Sequence, residues 1–108
     1  MMLITAIVVP SRVRVVRRAL ALFDVRGLTQ SRIFLELGPT RVEVYRGARE
    51  VVSRVPRVRL DILSPNDDTA DLVRVIRRAV TGSDLHLWVV RVEHLVRIRT
   101  GETGLGAL

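Results

Sequence analysis

The amino-acid sequence predicts an α+β fold of the ferredoxin-like kind, with two βαβ units sharing one sheet. Three observations carry that expectation. Hydrophobic residues switch between strand-like alternation and helix-like spacing in the order strand, helix, strand, strand, helix, strand. The run Val13-Arg14-Val15-Val16-Arg17-Arg18-Ala19-Leu20 returns as Val73-Arg74-Val75-Ile76-Arg77-Arg78-Ala79-Val80, and both copies fall on predicted helices. With 108 residues, 48% of them hydrophobic, residues 1–108 form one domain able to bury roughly 65% of its unfolded surface.

Leu3 to Val9 is a near-continuous apolar run, the pattern of a central strand. Pro10 stops it, and Ser11 is placed to cap a helix reaching about Asp24. Val13, Val16, Leu20 and Phe23 recur at helical spacing and should face the core. From Leu28 to Leu37 the pattern alternates, with Ile33, Leu35 and Leu37 on one face and Arg32, Phe34 and Glu36 on the other. Gly38-Pro39 signals a turn, Arg41 to Tyr45 alternates again, and Arg46-Gly47-Ala48 breaks the run. A hairpin extension or ordered loop is therefore expected between about Leu37 and Val52.

Arg57 to Ile62 reads as a strand with Val58, Leu60 and Ile62 inward. Ser64-Pro65-Asn66-Asp67-Asp68 opens a second helix, with Leu72, Val75, Ile76 and Ala79 on its buried stripe, and Thr81-Gly82 ends it. Asp67, Asp68 and Asp71 are accounted for by the positive end of the helix dipole, without a metal. Leu85 to Val92 forms another strand, apolar on both faces: Leu85, Leu87 and Val89 against Trp88, Val90 and Val92. One of those faces lacks a helical cover, and oligomerisation would bury it.

The formal net charge is +7, and all 18 basic residues are arginine. They are scattered through helices and strands, so polyanion binding and an evenly solvated basic surface both fit. A ferredoxin-like RNA-binding module would stack bases on sheet aromatics. Aromatic residues make up only 4% here, so nucleic acid is not the expected partner. The absence of cysteine excludes disulfides and thiolate metal sites. His86 and His94 are the only histidines and read as surface or subunit-contact residues. No metal is expected, and no nucleophile–base pattern or carboxylate pair points to an enzyme. Met1 to Val9 is too short to span a membrane and lacks a basic leader, so a cytoplasmic protein without membrane insertion is expected.

The stretch Leu95-Val96-Arg97-Ile98-Arg99-Thr100-Gly101-Glu102 alternates like a short strand. On that geometry Arg97 and Arg99 lie side by side, ~7 Å apart, on one face. Two planar guanidiniums at that spacing suit a diphosphate or triphosphate. The alternative reading is a solvated edge whose arginines discourage pairing with another sheet.

Several short pieces, in order, give the chain a resemblance to the PII signalling proteins over essentially its whole length. They are Ile7-Val8-Val9-Pro10, Val25-Arg26-Gly27-Leu28-Thr29, Val44-Tyr45-Arg46-Gly47-Ala48, Pro56-Arg57-Val58-Arg59 and Arg97-Ile98-Arg99-Thr100-Gly101-Glu102. The resemblance implies a compact homotrimer that binds adenine nucleotides between subunits and regulates a transporter or enzyme through a mobile loop. By that resemblance Arg97 and Arg99 reach the nucleotide phosphates from a neighbouring subunit. Gly27, Leu28 and Thr29 line the adenine with backbone groups, and Ile7 and Leu63 flank the base or ribose. Arg57 stands where a lysine helps hold the carboxylate of 2-oxoglutarate in nitrogen-sensing members. The partner loop corresponds to about residues 37–52, including Gly38, Tyr45 and Arg46.

The departures from the family pattern carry their own expectations. Where the family has a Gly-Asp-Gly-Lys phosphate loop, this chain has Ser83-Asp84-Leu85-His86-Leu87-Trp88. Without glycines the backbone approaches phosphate less closely, so the usual mode of ATP binding is not expected and ADP or AMP gains ground. The loop glutamine aligns with Gly38, the uridylylated tyrosine with Glu50 and the phosphorylated serine with Ala48. Control by those modifications is therefore not expected, and a trimeric scaffold that has lost nucleotide binding is the alternative.

Overall fold

The computed structural model describes the backbone of residues 1–25, 27–44 and 47–108. Strand β1 (Met2–Val8) leads through a 3₁₀ turn (Pro10–Arg12) into helix α1 (Val13–Ala21). Strands β2 (Leu28–Val44) and β3 (Gly47–Ser64) follow, then helix α2 (Asn66–Ala79), strand β4 (Leu85–Arg91) and a second 3₁₀ turn (Gly104–Ala107). The sheet order is β2-β3-β1-β4, and every neighbouring pair is antiparallel. Each βαβ unit thus spans one intervening strand, which is the expected ferredoxin-like arrangement.

The core lies between the sheet and the two helices. Alternation along β1 and β3 delivers Ile4, Ala6, Val8, Val58, Leu60 and Ile62 to it, the helices add Val16, Leu20, Leu72 and Ile76, and Val80 follows directly after α2. Leu85, Leu87 and Val89 of β4 pack on the same cluster.

Three local expectations are corrected. Ser11 does not cap α1, because it lies inside the 3₁₀ turn that Pro10 initiates. Proline holds the preceding Val9 extended and supplies the fixed φ that starts the turn. The helix ends at Ala21, so Phe23 falls beyond its last turn and is 44% exposed instead of buried. On α2 the partly buried Val73 and Ala79 pack against the core, whereas Val75, also partly buried, is not part of that packing.

The predicted extension is a long hairpin. Its ladder runs from Leu28 opposite Ile62 to Val44 opposite Gly47, with one irregularity between Leu37 and Thr40. Gly38-Pro39 explains that break, since proline has no N–H to donate to the ladder. The hairpin stretches the domain to 62 Å in its longest direction. Tyr45 and Arg46, expected to contribute to the partner loop, lie outside the described residues.

The largest correction concerns the end of the chain. Residues 95–102 do not form a strand with two arginines on one face. Val96 makes an isolated bridge with Thr103, and the Arg97 N–H donates to the Glu102 carbonyl at 2.8 Å. The Thr100 and Gly101 amides both turn back to the Arg97 carbonyl, at 3.3 and 2.7 Å. Gly101, at φ +75°, supplies the left-handed residue that closes this turn. Arg97 therefore sits on an arm of the turn and Arg99 within it.

Candidate functional site

The sheet face away from the helices carries the polar chemistry of this chain. Antiparallel registry places Ile7 between Arg59 and His86, Thr5 between Asp61 and Trp88, and Leu3 between Leu63 and Val90. Thr29 continues the row of Asp61, and Ile33 sits opposite Arg57. These residues share a face because each is separated from the next on its strand by two positions. Trp88 and Val90 are 43% and 46% exposed there, whereas Thr5 is fully covered.

A charged network crosses the middle of this face. The Thr5 hydroxyl donates to Asp61 Oδ1 at 2.6 Å, and Arg59 Nε donates to Asp61 Oδ2 at 2.9 Å. The Arg59 guanidinium also lies 5.9 Å from the Trp88 ring centroid, within cation–π range. Partial burial alone would raise the Asp61 carboxyl. The hydrogen bonds from Arg59 and Thr5, with the Arg59 charge, outweigh burial and hold it below the ordinary carboxylate value. Sequence reading missed this network. Its signal was the Arg59-Leu60-Asp61 spacing, which puts opposite charges on one strand face.

The expected ligand residues fall into two groups. Leu28 and Thr29 open β2 beside Ile62 and Asp61, Gly27 immediately precedes them, and Leu63 lies one step further along β3. Leu28 packs its side chain on the core, so only its backbone is available to a ligand. Arg97 joins this end of the sheet indirectly. Its Nε donates to the Ala107 carbonyl at 3.3 Å, and the neighbouring Leu105, Gly106 and Leu108 border the same cavity as Leu63. Arg99 is exposed in the turn.

Ile7 and Arg57 lie toward the other end. Ile7 is opposite Arg59, four residues from Leu63 along β3, or ~13 Å by strand rise. The Arg57 side chain is only 16% exposed. Its Nη1 donates to the Pro56 carbonyl at 2.8 Å, and its Nη2 lies 3.8 Å from Asp84. Gly38 sits further out, at the irregularity in the hairpin. One subunit therefore does not gather Ile7, Leu63, Arg97 and Arg99 around a single point.

The connection from α2 to β4 is a tight turn. Gly82 has φ +81°, the Thr81 and Ser83 amides donate to the Arg78 and Val80 carbonyls, and the Thr81 hydroxyl donates to the Arg77 and Arg78 carbonyls. The Thr81 and Ser83 amides and the Thr81 hydroxyl are therefore engaged inside the turn and not free for phosphate. Among the described residues, no group of three metal-ligating side chains clusters, and no helix is long and apolar enough to cross a membrane.

These features define a ferredoxin-like domain with one helical layer, an open charged sheet face and a projecting hairpin. The model of the family described as nitrogen regulatory protein P-II matches residues 1–102. The chain is 36% identical to the nitrogen regulatory protein P-II of Rhizobium meliloti (strain 1021) over an alignment 111 positions long, gaps included, covering 97% of each protein. It is 32% identical to the nitrogen regulatory protein GlnK of Escherichia coli (strain K12) over an alignment 113 positions long and the full length of both. The structure of B. subtilis GlnK superposes with a TM-score of 0.81 at 21% identity, over 99% of this chain and 97% of that one, a likeness of fold. The chain belongs to the nitrogen regulatory protein P-II family. It is accordingly a regulatory signalling protein and not an enzyme. As a class, these proteins are trimeric, bind adenine nucleotides and regulate transporters or enzymes.

Proposed function

We propose that this chain is a homotrimeric, cytoplasmic sensor that binds an adenine nucleotide between subunits and controls a transporter or enzyme through the β2–β3 hairpin. The observation that carries this reading is the separation of Ile7 from Leu63 and Arg97 on one subunit. A nucleotide that uses both groups needs Ile7 from one copy and Gly27 to Thr29, Leu63, Arg97 and Arg99 from the next. The open sheet face, with half-exposed Trp88 and Val90, is the surface through which copies meet.

The nucleotide is ADP or AMP in preference to ATP. Arginines contribute charge-assisted hydrogen bonds of about 1.5–3 kcal/mol each to phosphate. The turn at residues 81–84 has its Thr81 and Ser83 amides engaged and no lysine, so a third phosphate gains less from it. Arg57 is the candidate cation for a carboxylate effector such as 2-oxoglutarate, with bicarbonate as an alternative anion, and it would exchange its Asp84 contact for that ligand. Calorimetry against ATP, ADP and AMP, with and without each effector, tests the proposal. ADP or AMP binding at least as tight as ATP is expected. If no adenine nucleotide binds at millimolar concentration, the chain is a trimeric scaffold with a partner loop and the sensor reading falls.

A further inference from the structure

The helical layer carries the whole charge excess of this chain. Arg12, Arg14, Arg17 and Arg18 lie on or just before α1, and Arg74, Arg77 and Arg78 lie on α2. No acidic residue occurs between Pro10 and Ala21 or between Leu72 and Gly82. The other 11 arginines equal the 11 acidic residues in number, so these seven account for the +7. All seven are exposed, and among the described residues Arg74 is the only one of them in an ion pair, with Asp71. Because β1 and β3 are antiparallel, the two helices are too, and they pack side by side. Phe23 and Asp24, just past the end of α1, share a cavity wall with Asp68 and Leu72 in the N-terminal half of α2. The start of α1 therefore lies beside the end of α2, and the two arginine sets form one outward face. Helix dipoles account for Arg18, Arg77 and Arg78, which occupy last turns. They oppose Arg12 and Arg14, which stand at the positive start of α1 with no acidic residue in its first turn. An external anion relieves that repulsion.

We propose that this face binds a linear inorganic polyphosphate, a flexible chain of phosphates without bases. Planar guanidiniums pair with the phosphate oxygens. Neither arginine stretch contains an aromatic residue on which a base could stack. In the trimer proposed above, on which this step rests, burial of the open sheet faces turns the three helical layers outward in different directions. A flat membrane or a stiff nucleic-acid duplex then meets one layer at a time. A flexible chain of phosphates passes from one layer to the next and gains avidity.

The test is a titration of the whole protein with an end-labelled long-chain polyphosphate, read by fluorescence anisotropy at several salt concentrations. The long chain should bind at least about a hundredfold more tightly than tripolyphosphate. The triple variant Arg14→Gln, Arg17→Gln, Arg18→Gln should weaken it at least about tenfold and make the salt dependence shallower by about 2 in log–log slope. The matching triple variant of Arg74, Arg77 and Arg78 to Gln should do the same. These side chains are exposed, so circular dichroism should show both variants folded. Arg54→Gln removes a charge that pairs with Glu36 on the hairpin and should leave the affinity unchanged. Arg97→Ala, in the proposed nucleotide site, should leave it unchanged as well, whether or not a nucleotide binds there. The proposal is overturned if Arg97→Ala weakens polyphosphate as much as the helix variants do, or if the helix variants bind like the wild type. It is equally overturned if polyuridylate or phosphatidylserine vesicles bind as tightly as polyphosphate, because the face would then belong to nucleic acid or to a membrane.

Discussion

Replacing Asp61 tests whether the charged network on the open sheet face stabilises the fold. In the wild type its carboxylate accepts the Thr5 hydroxyl at 2.6 Å and two Arg59 bonds at 2.9 and 3.4 Å. Asp61→Ala removes every acceptor. Thr5 is 0% exposed, so its stranded hydroxyl costs about 1–3 kcal/mol. The Arg59 side chain is 43% exposed, so solvent screening limits its pair to under about 1 kcal/mol. Asp61→Ala should therefore destabilise by about 2–3 kcal/mol. Asp61→Asn keeps an oxygen for Thr5 and loses only the charge, so about 1 kcal/mol or less is expected. The pH dependence fixes the sign. The folded carboxyl titrates below its unfolded value, so its contribution is full above about pH 4 and is lost as pH falls through the folded pKa. Urea denaturation of the three proteins at one concentration, at pH 7 and stepwise down to pH 3, reads all of this. The gap between wild type and Asp61→Asn should narrow on acidification. Equal losses for the Ala and Asn variants, or a gap that persists in acid, would refute the reasoning.

Light scattering at micromolar concentration should give three times the 12.2 kDa chain mass, and Trp88→Glu, which puts a charge on the open face, should shift the protein toward monomer. Intact-mass spectrometry of protein from nitrogen-starved cells should show no nucleotidyl or phosphoryl adduct, since Ala48 and Glu50 offer no hydroxyl. Ile76→Ala, at a fully buried position, should cost about 2–5 kcal/mol in a denaturant titration, and clearly more than Val75→Ala. Arg97→Ala should weaken adenine-nucleotide binding about tenfold in calorimetry while leaving the trimer intact, one factor of ten being about 1.4 kcal/mol.

Periodicity was a reliable guide wherever one face of an element is buried and the other is wet. Val58, Leu60 and Ile62 were inward in the pattern and are 6%, 0% and 0% exposed in the fold. The same rule failed at Val96 to Arg99, for a physical reason. Alternation states which residues would share a face if the chain stayed extended, and it is silent on whether a neighbouring strand holds it extended. After β4 no further ladder is available, since the sheet ends on that side, and Gly101 lets the chain fold back on itself. Phe23 failed differently. Its spacing fits the helical stripe, but α1 stops at Ala21, and Asp24 then adopts φ +52° where a helix would need a negative value.

The candidate site was legible as a set of residues and not as a place. The resemblance to the family, not spacing, pointed to Ile7, Gly27 to Thr29 and Leu63, yet the registry of an antiparallel sheet sends Ile7 and Leu63 to different ends of one face. A set of ligand groups that one copy keeps apart becomes useful only when copies stand side by side. On the proposed intersubunit cleft, nucleotide affinity and trimer formation are thermodynamically linked, because a nucleotide favours the assembled state it binds. Dilution should lower apparent nucleotide affinity, and added nucleotide should hold the trimer together at concentrations where the free protein dissociates. A nucleotide affinity that stays constant as the trimer dissociates would place every essential contact within a single subunit, and the division of Ile7 from Arg97 would lose its meaning.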